Sequence, residues 1–159
     1  IVHKLNGYFM TRNVQYRYLI KVRSFSSAKV RSMVDHTKPT LRDFDPKWVI
    51  LHAGTNDLKL PKKASQIAKS IIDLANAIQT QDNNIVISLI VPRDDELNNK
   101  AYEVNSRLKL MCIDRGYRYI DHADNIKVEK HLDQHKLHLN RNGLKIFEKN
   151  FTDFLSNLF

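Results

Sequence analysis

Trp48-Val49-Ile50-Leu51-His52-Ala53-Gly54-Thr55-Asn56-Asp57-Leu58 is the stretch on which the fold of this chain turns. Trp48 to Ala53 is short and nearly all apolar, with Asp45-Pro46 before it and Gly54 after it. Such a run, bounded by turn residues, predicts a parallel strand buried on both faces. The polar turn Gly54 to Asp57 then hands over to apolar residues at Ile67, Ile71, Leu74, Ala75 and Ile78, the spacing of one helix face.

The same alternation continues in both directions. Downstream, Ile85 to Val91 reads as a second buried strand ended by Pro92. Leu97, Ala101, Val104, Leu108 and Met111 mark a helix closed near Gly116, and Tyr117 to Ile120 a short strand. After a polar, His-rich loop, Asn140 opens a last helix with Leu144, Phe147, Phe151, Phe154 and Leu158 on one face. Upstream, Tyr16 to Phe25 alternates Tyr18, Ile20 and Val22 with Arg17, Lys21 and Arg23, which predicts a strand with one exposed face. Ser26 or Ser27 then caps a helix running to about Val34, with Pro39 and Asp45-Pro46 interrupting before the next strand.

Strands alternating with helices imply right-handed crossovers and a parallel sheet, hence an α/β class, specifically a three-layer α/β/α sandwich with a flavodoxin-like sheet. Residues 1–159 are expected to form one domain, and the sequence shows no internal repeat, linker or low-complexity tract. In such sheets chemistry gathers beyond the carboxyl ends of the strands. That edge is where Ser26-Ser27, Gly54 to Asp57, Pro92-Arg93 and the loop before Asn140 are expected to emerge.

With 42% hydrophobic and 27% charged residues the chain excludes the disordered, collagenous and fibrous classes. No apolar run reaches the roughly 18 residues that span a bilayer, and Ile1 to Thr11 lacks the pattern of a signal peptide. A chain opening on Ile reads as part of a longer one, so the compartment stays open, with an intracellular one favoured. Cys112 is alone, which leaves neither a disulfide framework nor a cysteine metal site, and between Met111 and Ile113 it reads as a core residue. Lys and Arg number 26 against 17 acidic residues, a net charge of +9 that makes nucleic acid a candidate partner. The cations are scattered along the chain, however, as they are on ordinary solvated faces.

Two segments carry chemistry. Gly54 permits a turn closed to bulkier residues, the Asn56 amide can aim an N–H at an oxyanion, and Asp57 can brace the loop by accepting backbone hydrogen bonds. Gly, Asn and Asp also populate any tight turn, so the motif alone leaves both readings open. In Lys136-Leu137-His138-Leu139-Asn140-Arg141-Asn142-Gly143, His138 stands at the lip of a helix N-terminus, a fitting place for a general base that accepts and returns a proton. His131 and His135 nearby raise a metal reading, but no carboxylate or cysteine follows at a ligand spacing, and no cofactor is expected.

Gly54-Thr55-Asn56-Asp57 resembles the third block of the SGNH (GDSL-like) hydrolases, and the segment around His138, Asn140 and Gly143 resembles their last block. Ser88-Leu89-Ile90-Val91-Pro92-Arg93 and Asn98-Asn99-Lys100-Ala101-Tyr102-Glu103-Val104-Asn105 are similar to SGNH-type domains of animal genomes, retroelement-associated forms included. The resemblance implies a serine nucleophile from a Gly-Asp-Ser segment. It also implies an oxyanion hole from that serine's N–H, a second-block Gly and the third-block Asn, and a His base oriented by an Asp three residues earlier. On this chain Asn56 matches the oxyanion Asn and His138 the base. Ile1 to Leu5 resembles the helix after the nucleophile turn, so the resemblance places the serine and the first strand upstream of residue 1. That strand would lie between Tyr16–Phe25 and Trp48–Ala53, leaving two sheet edges unpaired without it.

The second block reads Ser24-Phe25-Ser26-Ser27-Ala28, with Ser27 where Gly is typical, and His135 stands where the orienting Asp is expected, with Asp133 two residues further back. The resemblance therefore implies a serine ester hydrolase of esterase, lipase or deacetylase type acting on a small acyl ester or acetylated substrate, with this chain inactive on its own. The alternative is a non-catalytic binding module on the same fold, with nucleic acid the first partner to try. A flavodoxin-like nucleotide binder would need a glycine-rich phosphate loop, which the sequence lacks.

Overall fold

β-branched and apolar side chains in Trp48–His52 form strand β1, and the parallel strands β2 (Asn84–Ser88) and β3 (Arg118–Ile120) add to it in the order β1-β2-β3. The structure is a computed structural model that describes residues 4–15 and 17–158. Its helices are α1 (Gly7–Asn13), α2 (Val30–Phe44), α3 (Ala64–Ile78), α4 (Asn98–Arg115), α5 (Val128–His131) and α6 (Arg141–Ser156), with a 3-10 turn over Thr55–Lys59. The parallel sheet and its helices give the α/β class read from the sequence, with three strands among the described residues. No helix among them is long and apolar enough to cross a membrane.

Packing divides the chain into two compact units, each assembled from separate segments. Residues 27–90 and 96–121 hold the sheet and α2, α3 and α4. The register sets His52 opposite Ser88 and Ser88 opposite Ile120, so the carboxyl ends of all three strands stand abreast. The apolar stripe of α3, Ile67, Ile71, Leu74 and Ile78, is buried in one cluster with Leu51, Ile85 and Ile87 of the sheet and Val104, Leu108 and Cys112 of α4. Each such aliphatic side chain contributes about 1.5–3 kcal/mol on leaving water. Cys112 is a core residue here, and burial pushes its thiol up to about 11.

Residues 1–26, 91–95 and 122–159 form the other unit, around α1, α5 and α6. Its centre is aromatic. The His122 ring lies 4.7 Å from Phe147 and 5.6 Å from Phe151, and its Nδ1 accepts from Asn150 Nδ2 at 2.9 Å. Asn150 in turn accepts from Asn125 at 2.8 Å, so this buried polar chain is paired link by link.

Two expectations are corrected. Residues 17–25 of the expected Tyr16–Phe25 strand make no ladder, and Tyr16 lies outside the described residues. The inside-outside alternation is present, with Tyr18, Ile20 and Val22 half-buried and Arg17, Leu19, Lys21 and Arg23 exposed. The backbone is engaged by α1 instead: Ile20 N–H donates to Thr11 Oγ1 at 3.0 Å, and the Ile20 carbonyl lies where a Cβ on Gly7 would be 2.6 Å away. Alternation reports burial, whereas a strand also needs a neighbouring strand to bond. Second, α2 begins at Val30 rather than at a serine cap and runs through Pro39 to Phe44. Asp35, whose carbonyl loses its partner to the proline, and Pro39 itself are both exposed, so water can serve that carbonyl. The helix expected over Ile1–Leu5 falls largely on residues 1–3, which lie outside the described part; α1 follows at Gly7–Asn13.

Candidate active site

The turn after β1 is built around Gly54. Its φ is 104°, a conformation side chains rarely adopt, and a Cβ there would lie 2.8 Å from Ile71 Cδ1. Both restraints follow from the strand delivering the chain directly over α3. The 3-10 turn Thr55–Lys59 then presents Asn56 to solvent and buries Asp57. Asn56 Nδ2 donates to the Ala28 carbonyl at 2.9 Å, and Asp57 Oδ2 accepts the Val30 N–H at 3.0 Å. Val30 is the first residue of α2, whose N-cap, Lys29, offers no side-chain bond. Asp57 thus caps a helix that starts 27 residues earlier, placing a carboxylate at its positive end.

The first of these bonds ties the third block to the second, and the other ties it to α2. Ser27 is exposed and sits at φ 57°, in the left-handed region. A family with Gly at this position avoids the roughly 1–2 kcal/mol that the region costs a residue with a Cβ. At the edge of the sheet, His52 Nδ1 lies 3.0 Å from Ser88 Oγ. Burial lowers the His52 pKa from its ordinary 6.5 to about 4. An unfolded His52 takes up a proton below about pH 6.5 while the folded ring stays neutral down to about 4, so stability falls as the pH drops through that window. Between pH 7 and 5 the native protein is expected to lose about 1–2 kcal/mol more than His52→Gln, read from urea midpoints at the two pH values. Equal losses would show that His52 titrates normally in the folded chain.

His138 belongs to the other unit and lies exposed on a closed loop. Leu132 and Leu139 form an antiparallel bridge, Asp133 N–H donates to the His138 carbonyl at 2.7 Å, and Asp133 Oδ1 accepts from the N–H groups of His135, Leu137 and His138 at 3.1, 3.3 and 3.3 Å. Partial desolvation works to raise the Asp133 pKa, but these N–H bonds and the His138 ring outweigh it and hold the carboxyl below its usual range. Among the described residues the His138 ring makes no hydrogen bond. Asp133 therefore shapes the His138 backbone, and His135 beside it reaches only the Gln134 amide. His131 is taken up locally, its Nδ1 accepting the Lys127 N–H at 2.8 Å. No group of three or more His, Cys, Asp or Glu among the described residues is disposed to hold a metal ion.

Asn140 and Gly143 serve the frame of this loop. Asn140 Oδ1 accepts the Gly143 N–H as the N-cap of α6, while its Nδ2 donates to the Lys130 and Leu132 carbonyls at 2.8 and 2.9 Å. Lys136, at φ 58°, is pinned to the loop after β2: its ammonium lies 2.9 Å from Asp94 Oδ2, and its carbonyl accepts the Asp94 N–H. In the sheet-bearing unit two residues of α4 have roles that no residue pattern announced. Asn105 brackets Ile90 beyond β2, accepting its N–H at 2.9 Å and donating to its carbonyl at 2.8 Å, and Lys100 donates to the Leu58 and Leu60 carbonyls. The signal was present only as the family-like stretch Asn98 to Asn105.

The parallel sheet carries Gly-Thr-Asn-Asp directly after β1, and, in the other unit, a histidine loop leads into α6. Residues 4–146 match the GDSL-like Lipase/Acylhydrolase family, and the chain belongs to it, which bears out the SGNH resemblance. Among solved structures, the chain is similar to Est24, a carbohydrate acetylesterase from Sinorhizobium meliloti, with TM-score 0.83 and 16% identity over 94% of this chain and 83% of that one. It is similar too to a GDSL-like lipase from Bacteroides thetaiotaomicron, with TM-score 0.76 and 11% identity over 96% and 84% of the two chains. A catalytic mutant of Axe2, an acetylxylan esterase from Geobacillus stearothermophilus, gives TM-score 0.73 and 14% identity over 93% and 80%. At these identities the likeness shows the fold. No curated protein sequence matches the chain.

Proposed function

We propose that this chain supplies the oxyanion donor and the general base of a serine ester hydrolase acting on small acyl esters or acetylated substrates. Family membership supports the reaction class, and the acetylesterase and acetylxylan esterase among its structural neighbours support an acetyl group. The observation that carries the reading is the state of Asn56. Its amide nitrogen bears two N–H groups; Ala28 takes one and so fixes the amide plane, and the side chain is exposed. The second N–H is thereby preorganised for an oxyanion.

In this reading a serine hydroxyl attacks the ester carbonyl carbon while His138 accepts its proton. Asn56 donates to the oxyanion of the tetrahedral intermediate, and His138 returns the proton to the departing alcohol. Water, deprotonated by His138, then attacks the acyl carbon, and His138 returns that proton to the departing serine oxygen, which releases the acid and restores the serine hydroxyl. The 159 residues contain no Gly-Asp-Ser, so turnover by the chain alone is expected at background level. A version with a strand ending in Gly-Asp-Ser ahead of Ile1 tests the proposal on p-nitrophenyl acetate. His138→Ala is expected to lower its kcat by roughly 10³-fold or more and Asn56→Ala by roughly 10²-fold. Turnover that His138→Ala leaves unchanged would overturn the assignment.

One observation favours a second reading, a non-catalytic binding module. One oxygen of the Asp133 carboxylate holds three backbone N–H groups, the His138 ring makes no hydrogen bond among the described residues, and His135 occupies the place of the orienting Asp. With a net charge of +9, nucleic acid is the partner to try. Salt-dependent retention of RNA or DNA by the chain, with no hydrolysis by the serine-bearing version, would favour this reading; no retention at low salt would remove the nucleic-acid form of it.

A further inference from the structure

The turn bearing Asn56 is held at both ends, and its far end rests on one charge. Lys100, half-buried on α4, donates from Nζ to the Leu58 and Leu60 carbonyls, both at 2.8 Å. Lys69, Lys109, Lys136 and Lys149 pair with carboxylates, those of Asp73, Asp121, Asp94 and Asp153. Among the described residues Lys100 meets no carboxylate. A cation set against the last carbonyls of a helical turn offsets their negative end, which an apolar side chain or an acid cannot do.

The connection to Asn56 is short. Leu60 N–H donates to the Asp57 carbonyl, and Asp57 N–H donates to the Gly54 carbonyl, both at 3.0 Å. Releasing Leu58 and Leu60 therefore loosens the turn at the residue next to Asn56, whose other anchor is a single bond to Ala28. A lysine serves here because its ammonium projects three N–H donors that can reach two carbonyls from one point.

We propose that Lys100 is a positioning residue for the Asn56 amide, acting through the Leu58 and Leu60 carbonyls. This rests on Asn56 being the oxyanion donor, but its test does not involve ester turnover. In the full 159-residue chain, ¹⁵N-labelled, Lys100→Met is expected to speed amide exchange at Asp57 and Leu60 by about tenfold or more, the size set by losing a charge-assisted bond. The Asn56 side-chain amide resonances should shift toward those of a solvated asparagine. Exchange at Ile87, in the middle of β2, should not change, and Lys100→Arg should restore the native signals. Asn56 resonances unmoved in folded Lys100→Met would overturn the proposal, as would equal acceleration at Ile87, which marks general loosening. Should Lys100→Met not fold, Lys100→Gln, which keeps one donor group, is expected to give an intermediate shift; a spectrum identical to the native one would overturn it. Failure of the hydrolase reading would show instead as absent turnover in the serine-bearing version, with the Asn56 response to Lys100 intact.

Discussion

Gly143→Ala is expected to destabilise the protein by about 3 kcal/mol or more, although alanine is the better helix former by roughly 1 kcal/mol. Gly143 lies in the first turn of α6. A Cβ there would run into the His131 carbonyl oxygen and stand 3.1 Å from both His131 Cβ and Leu139 Cδ2. The nearest of these is backbone, and it cannot retreat cheaply. The same carbonyl accepts the Asn140 N–H at 2.9 Å, and Asn140 Nδ2 holds the carbonyls on either side, those of Lys130 and Leu132. Relieving the clash means parting α6 from α5 and losing some of these bonds, each worth about 1 kcal/mol, on top of about 1–3 kcal/mol for the overpacking itself. Urea unfolding of the variant measures the loss, and a variant as stable as the native chain would show that α5 and α6 yield freely. The shift would also reach the candidate base, because the Leu132–Leu139 bridge that closes the His138 loop begins next to His131.

Asp57→Ala is expected to cost about 2–3 kcal/mol, and Asp57→Asn less than half of that. Asp57 is 2% exposed, and its Oδ2 accepts the N–H that opens α2. Alanine leaves that donor without a partner, removes the negative group from the positive end of the helix, and opens a small void. Asparagine keeps an acceptor of nearly the same shape and loses only the charge. Urea unfolding separates the two, and amide exchange at Val30 should quicken in the alanine variant well beyond that at Ile87. If both variants lose the same amount, charge rather than the bond carries the effect; if neither loses any, water already caps α2. For function, the alanine variant also frees one side of the Asn56 turn, so in the serine-bearing version its kcat should fall beyond what the loss of folded protein explains.

Where the residue pattern was governed by burial, it was readable. The strand over Trp48–His52, the α3 stripe Ile67, Ile71, Leu74 and Ile78, and the helix capped by Asn140 all stand within a few residues of their expected places, because periodicity and capping are local. Tyr16–Phe25 misled for the same reason. Its alternation tracks which side chains are half-buried, but the choice between ladder and loop lay with Thr11 and Gly7, on a helix that its own residues do not announce. Pro39 misled through a general rule, which an exposed position in α2 relaxes.

By itself, then, the order of residues determined the α/β class, the three strands and the long helices from Trp48 onward though not the short α5, and the family blocks at Gly54–Asp57 and His138–Gly143. Only tertiary structure decided what those blocks do for one another. It gave Asn56 to Ala28 and Asp57 to Val30, across 28 and 27 residues, set one oxygen of the Asp133 carboxylate on three backbone N–H groups, and sent Lys100 to the Leu58 and Leu60 carbonyls, 42 and 40 positions back in the chain. A hydrogen bond is settled by position in space, and residues far apart in sequence acquire that only once the core has closed.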